Sequence, residues 1–239
     1  MKHAVSDLSN FIGTHVLSFQ NPRVVCPPGT LTEQGRPNII VATPRRSGTH
    51  VLIDLLLNNM PAYRTRPLYV DLDQCLKRTT PAHDLLTPIT SRAGYIIKTH
   101  LPIGLDESVT TNGHVQRLIK DGIVLTVRRD RDAVIRSEMR WQEDQAESHA
   151  DYAAAYDAFW NFWQDRDQIA LDFKTLFDPV RMQTLMDDLA ARTRTAAKAR
   201  FKPAPSPTGK TGIYANKALT RLLGRHAPLI NTTIHTLKG

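Results

Sequence analysis

Three stretches of the sequence place cationic, hydroxyl or imidazole side chains directly after short apolar runs. TPRRSGT (43–49) follows NIIVA, KTH (98–100) follows YII, and RRDRD (128–132) follows GIVLTV. Such apolar runs predict buried strands. In an open parallel sheet, ligands bind beyond the carboxyl ends of the strands. The three stretches are therefore predicted to form one site.

The first stretch has the composition of a phosphate-binding loop, although it lacks the G-x-x-x-x-G-K-[ST] pattern. Gly48 would let the backbone approach an anion, and the helix predicted to follow would supply free N–H donors. Arg45 and Arg46 add charge, and Ser47 and Thr49 add hydroxyls. Two arginines before a helix N-terminus are unfavourable unless an anion lies there. The alternative is an ordinary turn with two solvated arginines.

The second stretch could supply a base and a cation to the same ligand. The imidazole of His100 titrates near neutral pH and can accept a proton. Lys98 is two residues away, so on a regular strand both side chains would leave the same face. Considered alone, His100 is more simply explained as a buried structural histidine. Only the neighbouring motifs favour a catalytic role.

The elements needed to hold these stretches alternate between strand and helix. Strands are predicted at 39–42, 95–97, 122–127 and within 168–176, and helices at 50–59, 133–140, 150–165 and 178–194. This alternation predicts an α/β fold with a mainly parallel sheet. The 239 residues are interpreted as one domain, with an N-terminal arm (1–37), a core (38–216) and a basic C-terminal segment (217–239).

The composition favours a cytoplasmic protein without a membrane span or a metal site. No apolar run approaches the roughly 18 residues that a span requires, and the first residues lack the apolar core of a secretory signal. Cys26 and Cys75 are too few for a disulfide framework or a metal cluster.

The net charge of +8 is concentrated near the C-terminus, because no acidic residue follows Asp188. Such a segment could bind nucleic acid, a membrane surface or a phosphorylated small molecule, or it could simply be solvated.

Taken in order, these motifs resemble those of cytosolic-type sulfotransferases that use 3′-phosphoadenosine 5′-phosphosulfate (PAPS). Residues 43–49 resemble the family's TYPKSGT loop, and residues 98–102 are identical to its KTHLP. Residues 127–137 resemble the segment that binds the 3′-phosphate. IALDFKTLFDP (169–179) resembles the YEDL turn, and TGKTGIY (208–214) resembles the late G-x-x-G-x-W loop. The resemblance covers roughly residues 38–216.

The resemblance implies a three-layer α/β/α fold related to P-loop NTPases, with PAPS as co-substrate, PAP (3′-phosphoadenosine 5′-phosphate) as product and no metal. It implies His100 as base, Lys98 on the sulfuryl oxygens and Arg46 beside the leaving phosphate. The donor-binding residues it implies are Arg45, Arg46, Ser47, Gly48, Thr49, His50, Arg128, Arg129, Ser137, Thr208, Gly209, Lys210 and Thr211.

Several residues depart from the family pattern. Arg46 replaces a lysine and holds its proton too tightly to act as an acid, so its help would be electrostatic. Val51 replaces the tryptophan that stacks on adenine, which leaves that role to His50 or another ring. Tyr214 replaces the late tryptophan. Spacing to Ser137 favours Arg129 over Arg128 for the 3′-phosphate.

The acceptor is open and could be an alcohol, phenol, amine or glycan, and the oligomeric state is also open. The aromatic residues between Tyr152 and Trp163 could line an acceptor pocket, but such stripes more often form core. APSPTGKT (204–211) is rejected as a nucleotide loop because Ala204 replaces the first glycine and no strand precedes it.

Two other functions remain as alternatives. One is a P-loop kinase or NTPase, which would need a Mg²⁺-binding carboxylate after a strand. The other is a basic, non-catalytic nucleotide- or nucleic-acid-binding protein, although the sulfotransferase interpretation predicts no nucleic-acid partner.

Overall fold

Six parallel strands form the central sheet. In a computed structural model of the chain, the described residues are 23–24, 35–64, 69–73, 76, 93–141 and 148–203. Among them the sheet order is β1-β3-β4-β2-β5-β6, and each described strand pair is parallel. The strands are β1 (Arg23–Val24), β2 (Ile39–Ala42), β3 (Tyr69–Asp71), β4 (Ile96–Thr99), β5 (Ile123–Arg128) and β6 (Ile169–Asp172).

Helices connect these strands and cover both faces of the sheet. The α-helices with described bounds are α1 (Thr49–Asn59), α2 (Glu107–Thr110), α3 (Gly113–Asp121), α4 (Arg131–Trp141), α5 (His149–Trp163) and α6 (Pro179–Thr193). Short 3₁₀ helices occupy Pro61–Tyr63 and Phe173–Phe177. The fold is therefore α/β with a parallel sheet, as the alternating pattern predicts.

Strand β2 is central because all four of its residues are apolar and buried. Ile39 lies opposite Ile96 of β4 and Ile123 of β5 in register. A parallel strand buried on both faces requires this continuous apolar sequence. The chain places β3 and β4 on one side of β2 and β5 and β6 on the other. The carboxyl end of β2 is thus the point at which the strand order reverses, where α/β sheets bind ligands.

The two faces of the sheet are buried by different helices. Ile39 and Val41 pack with apolar residues of α1 and α6, while Ile40 and Ala42 pack with those of α3 and α5. On α5, Tyr152, Tyr156, Phe159 and Trp163 are buried core residues. Most of the aromatic stripe therefore belongs to the core, which was the more expected of its two interpretations.

Several elements differ from the prediction, and among them helices α2 and α3 were not predicted. Strand β3 was not predicted, because three residues in a polar context give little periodic signal. The predicted loose N-terminal arm contributes strand β1, which pairs with β3. The strand expected within 168–176 ends at Asp172, and Phe173–Phe177 continue as a 3₁₀ helix. This 3₁₀ helix places the ring of Phe173 beside Gly48, in the loop that follows β2.

Candidate functional site

Residues 43–49 form a tight loop between β2 and α1. Gly48 is the N-cap of α1 and has a left-handed φ of 95°, which favours glycine. The hydroxyls of Thr43 and Thr49 lie 2.5 Å apart and join the two ends of the loop. The Ser47 N–H donates to the Pro44 carbonyl at 3.3 Å. The loop is thus closed on itself directly beyond the central strand.

The loop has the features of an anion site. The first turn of α1 contains no acidic residue and its N-cap has no side-chain hydrogen bond, so its N–H groups and positive dipole end face the loop. Within the described residues, the hydroxyl of Ser47 is buried without a hydrogen-bond partner. A buried orphan donor beside a helix N-terminus is what a phosphate oxygen would satisfy.

Gly48 has no room for a side chain. A Cβ atom there would lie 2.9 Å from Leu176 and 3.0 Å from the Phe173 ring. We expect Gly48→Ala to destabilise the protein by about 2 to 4 kcal/mol, since it combines a strained left-handed alanine with overpacking. Urea unfolding would measure this change. Gly113→Ala is the matched control, because nothing lies within 4 Å of its Cβ position. Equal stability of the two variants would contradict a tight loop.

The side chain of Lys98 is held by two buried carboxylates that sequence reasoning did not find. Its Nζ lies 3.1 Å from Asp71 Oδ2 and 3.6 Å from Asp73 Oδ2. Both aspartates are buried. Asp71 is the last residue of β3, which pairs with β4, and Asp73 lies two residues beyond it. The ammonium group of Lys98 therefore belongs to an ion-pair cluster beside the 43–49 loop. The YVDLD run at 69–73 contains both carboxylates, but only the strand pairing brings them to Lys98.

Asp73 also fixes the backbone that carries His100. Its carboxylate accepts from the Thr99 hydroxyl at 2.7 Å and from the His100 N–H at 2.9 and 3.1 Å. The Thr99 hydroxyl in turn accepts from the Leu101 N–H at 3.0 Å. One carboxylate thus contacts three successive residues, Lys98 to His100.

His100 presents a neutral imidazole next to the loop. Its Nδ1 lies 2.6 Å from the Thr43 carbonyl oxygen. Since a carbonyl can only accept, Nδ1 carries the proton and the lone pair is on Nε2. Burial, and then the nearby Lys98 ammonium, lower the pKa of His100 well below its usual 6.5. At neutral pH the ring is therefore an unprotonated base.

The two loop arginines turn toward helix α4. Arg45 pairs with the buried Glu138 at 3.3 Å and lies 5.2 Å from the Tyr152 ring centroid. Arg46 donates from Nε to the Ser137 hydroxyl at 3.3 Å. The structure thus brings Ser137 to the loop, 91 positions away in sequence.

Of the two arginines at the end of β5, the structure shows contact with the 43–49 loop for one. Arg129 donates to the Arg46 carbonyl at 2.7 Å and lies 4.5 Å from the Phe173 ring centroid. Arg128 instead lies 4.4 Å from the Trp160 ring centroid. Among the described residues neither arginine forms an ion pair within 4 Å. The geometry thus brings Arg129, rather than Arg128, together with Ser137.

Two tyrosines one turn apart on helix α5 hold the 43–49 loop and the turn that follows β5. The Tyr152 hydroxyl donates to the Arg45 carbonyl at 2.7 Å, and the Tyr156 hydroxyl donates to the Arg129 carbonyl at 2.8 Å. Both side chains are otherwise buried.

Two rings border the 43–49 loop at positions where a nucleobase could stack. His50 packs edge-on against Tyr69 at 5.9 Å between centroids. Phe173, which was predicted as strand, is half-buried beside Gly48. Val51 packs against the core between α1 and α6. The 3₁₀ helix after β6, which the sequence pattern does not predict, positions Phe173.

A cleft of about 680 Å³ opens beyond β5 and β6. Four of its lining residues are cationic (Arg128, Arg129, Lys174 and Arg181) and three are acidic (Asp130, Asp172 and Asp178). The lining thus carries a small net positive charge.

The late-loop residues Thr208, Gly209, Lys210, Thr211 and Tyr214 lie outside the described residues, as do most of the predicted N-terminal arm and the whole basic C-terminal segment. Of the described helices, none has the length and apolarity needed to cross a bilayer.

In comparisons with known proteins, no family model and no curated protein matches the chain. The chemistry of the site must therefore be argued from its residues.

Proposed function

We propose that the protein is a PAPS-dependent sulfotransferase with the P-loop-like fold of that family. The observation that supports it most is the contact between His100 Nδ1 and the Thr43 carbonyl at 2.6 Å. It joins a neutral base to the first residue of an anion-binding loop. A group held by the loop would then lie beside a group able to remove a proton.

The proposed step is a direct displacement at sulfur. An acceptor O–H or N–H attacks the sulfur atom, and its proton passes to Nε2 of His100. A new S–O or S–N bond forms while the bond from sulfur to the bridging oxygen breaks. The electron pair of that bond leaves with the phosphate of PAP. General-base assistance of this kind contributes roughly 10² to 10⁴ in rate.

Charge at the loop would stabilise the sulfuryl group and the leaving phosphate. The N-terminus of α1 and the Ser47 hydroxyl are suited to the 5′-phosphosulfate. Lys98 has three N–H donors, one of which Asp71 accepts at 3.1 Å, while Asp73 lies 3.6 Å away as a second ion-pair partner. A remaining donor would bind the transferring oxygens. The carboxylates would then hold Lys98 in place as well as lower the net charge of the cluster.

A kinase would use carboxylates at this sheet edge for Mg²⁺. Asp71 ends β3 and Asp73 lies two residues beyond it, and both carboxylates contact Lys98. This favours sulfuryl over phosphoryl transfer.

Isothermal titration calorimetry with PAP, and with ATP in the presence and absence of Mg²⁺, would test the proposal. We expect clear PAP binding and much weaker ATP binding. Arg129→Ala should weaken PAP binding at least about tenfold, as for a lost charged hydrogen bond, whereas Arg128→Ala should change it little. ATP binding that is as tight as PAP binding and requires Mg²⁺ would support a kinase instead. Absence of PAP binding would refute the proposal.

A further inference from the structure

Three cationic residues lie together in the segment that follows α6. Lys198, Arg200 and Lys202 line one cavity of about 520 Å³, together with Phe201 and Pro203. Within the part of the chain that the structure describes, this lining contains no carboxylate, and none of the three cations forms an ion pair. The sequence after Asp188 contains no acidic side chain that could supply one. Like charges repel when they are held close together, so this arrangement needs a physical explanation.

The buried side chain of Asn59, the last residue of α1, fixes this segment in place. Its amide nitrogen donates to the Lys202 carbonyl at 2.9 Å, and its side-chain oxygen accepts from the Lys202 N–H at 2.6 Å. The Asn59 carbonyl accepts from the Lys198 N–H at 2.9 Å. The half-buried Phe201 between the two lysines packs against the core. The backbone that carries the cations is therefore held by specific contacts and does not behave as a solvated tail.

The positive charges of this cluster destabilise the ammonium form of Lys198. Burial, and then the neighbouring Lys202 and Arg64, lower the pKa of Lys198. The C-terminal end of α1 contributes about half a negative charge, which is less than the charge of any one of these side chains. A bound anion would supply the missing negative charge and would favour the ammonium form of Lys198.

A cavity of about 690 Å³ beside α3 provides a comparison, because its charges are nearly balanced. Its lining includes three cations (Arg117, Lys120 and Arg166) and two carboxylates (Asp121 and Asp167). Those carboxylates offset most of the positive charge without a ligand. The described lining of the Lys198 cavity has three cations and no such offset.

We propose that Lys198, Arg200 and Lys202 form a second anion site that binds the phosphate group of a small soluble molecule. Three cations around one cavity suit a group with more than one negative charge, and guanidinium can bind phosphate oxygens in pairs. The volume also fits, since small-molecule sites typically span about 300 to 1,000 Å³.

This site is separate from the 43–49 loop. Helix α1 begins at the loop with Thr49 and ends at Asn59, so the two sites lie roughly 15 Å apart along the helix. The inference does not depend on the proposed function, because neither His100 nor the 43–49 loop takes part in it.

Competitive acetylation of lysine amines, quantified residue by residue with mass spectrometry, tests the site with pyrophosphate as the probe. Only an uncharged amine reacts, and bound pyrophosphate would both cover Lys198 and favour its ammonium form. At about ten times the Kd of pyrophosphate, acetylation of Lys198 should slow by about tenfold, because only the unliganded fraction reacts. Acetylation of Lys120, which is exposed on α3, should not change.

Lys202→Gln removes one charge from the cavity and should raise the Kd of pyrophosphate by about tenfold, as for a lost charged hydrogen bond. The contacts with Asn59 use the backbone of Lys202, so the segment should keep its position in this variant. Lys202→Arg keeps the charge and should retain the protection of Lys198. Lys120→Gln is the matched control, because it removes the same charge elsewhere and should leave the Kd unchanged.

Equal slowing of acetylation at Lys198 and Lys120 would indicate a general ionic effect and would overturn the proposal. The same Kd for the unaltered protein and Lys202→Gln would also overturn it. Vesicles of phosphatidylcholine and phosphatidic acid form a second arm of the experiment. Protection of Lys198 by these vesicles but not by pyrophosphate would assign the site to a lipid headgroup and refute a small soluble ligand.

Discussion

Replacing His100 with alanine should lower the rate of sulfuryl transfer by about 10² to 10⁴ and leave PAP binding largely intact. The imidazole is the unprotonated group that lies against the loop through its 2.6 Å contact with the Thr43 carbonyl. Without it, the proposed step loses the group that takes the acceptor proton. The measurement is single-turnover transfer from labelled PAPS to an acceptor found by screening, paired with calorimetry of PAP.

The pH dependence of the unaltered protein supplies an independent check on His100. Since burial and Lys98 lower its pKa well below 6.5, the base stays unprotonated as the pH falls through 6.5. Activity should therefore decline only at more acidic pH, and the His100→Ala variant should lack that acidic limb. Transfer by His100→Ala at the original rate, or with the same pH profile, would exclude His100 as the base.

Replacing Asp73 with alanine should destabilise the protein by about 3 kcal/mol and also reduce transfer. The change removes the acceptor for the Thr99 hydroxyl and the His100 N–H and one of the two carboxylates beside Lys98. Each buried donor left without a partner costs about 1 to 3 kcal/mol, and a weakened buried ion pair adds to this. Urea unfolding would measure the stability change.

Asp73→Asn separates hydrogen bonding from charge, because an amide oxygen can still accept from Thr99 or His100. It should recover part of the stability lost in the alanine variant. Thr99→Val removes one donor alone and should cost less than Asp73→Ala. If Asp73→Ala is as stable and as active as the unaltered protein, the Asp73 contacts do not position His100.

The sequence predicts the edge of the sheet on which the site lies far better than it predicts the contacts within the site. The apolar runs before residues 43, 98 and 128 are short and buried, and parallel pairing brings their ends together without further information. That much is contained in local patterns. Asp73 could not be assigned to Lys98 in the same way, because strand β3 has only three residues and gives almost no periodic signal.

Contacts distant in sequence were also beyond local patterns. The resemblance implies Ser137 at the 3′-phosphate, but its contact with Arg46 depends on how α4 packs. Phe173 falls within QIALDFKTL (168–176), the run from which the fourth strand is predicted. The chain instead turns at Asp172, since the partner strand β5 ends at Arg128, which lies opposite Asp172 in register. The resulting 3₁₀ turn, rather than any motif, brings the Phe173 ring to Gly48.

The tyrosine pair on α5 has a consequence for the energetics of ligand binding. Tyr152 and Tyr156 lie four residues apart on a single helix whose aromatic face is part of the core. Each fixes a backbone carbonyl of a different loop. The relative position of the two loops is thereby set when the core forms, before any ligand binds. The site is preorganised. The loss of conformational entropy that usually opposes binding to loops therefore occurs during folding and does not reduce ligand affinity.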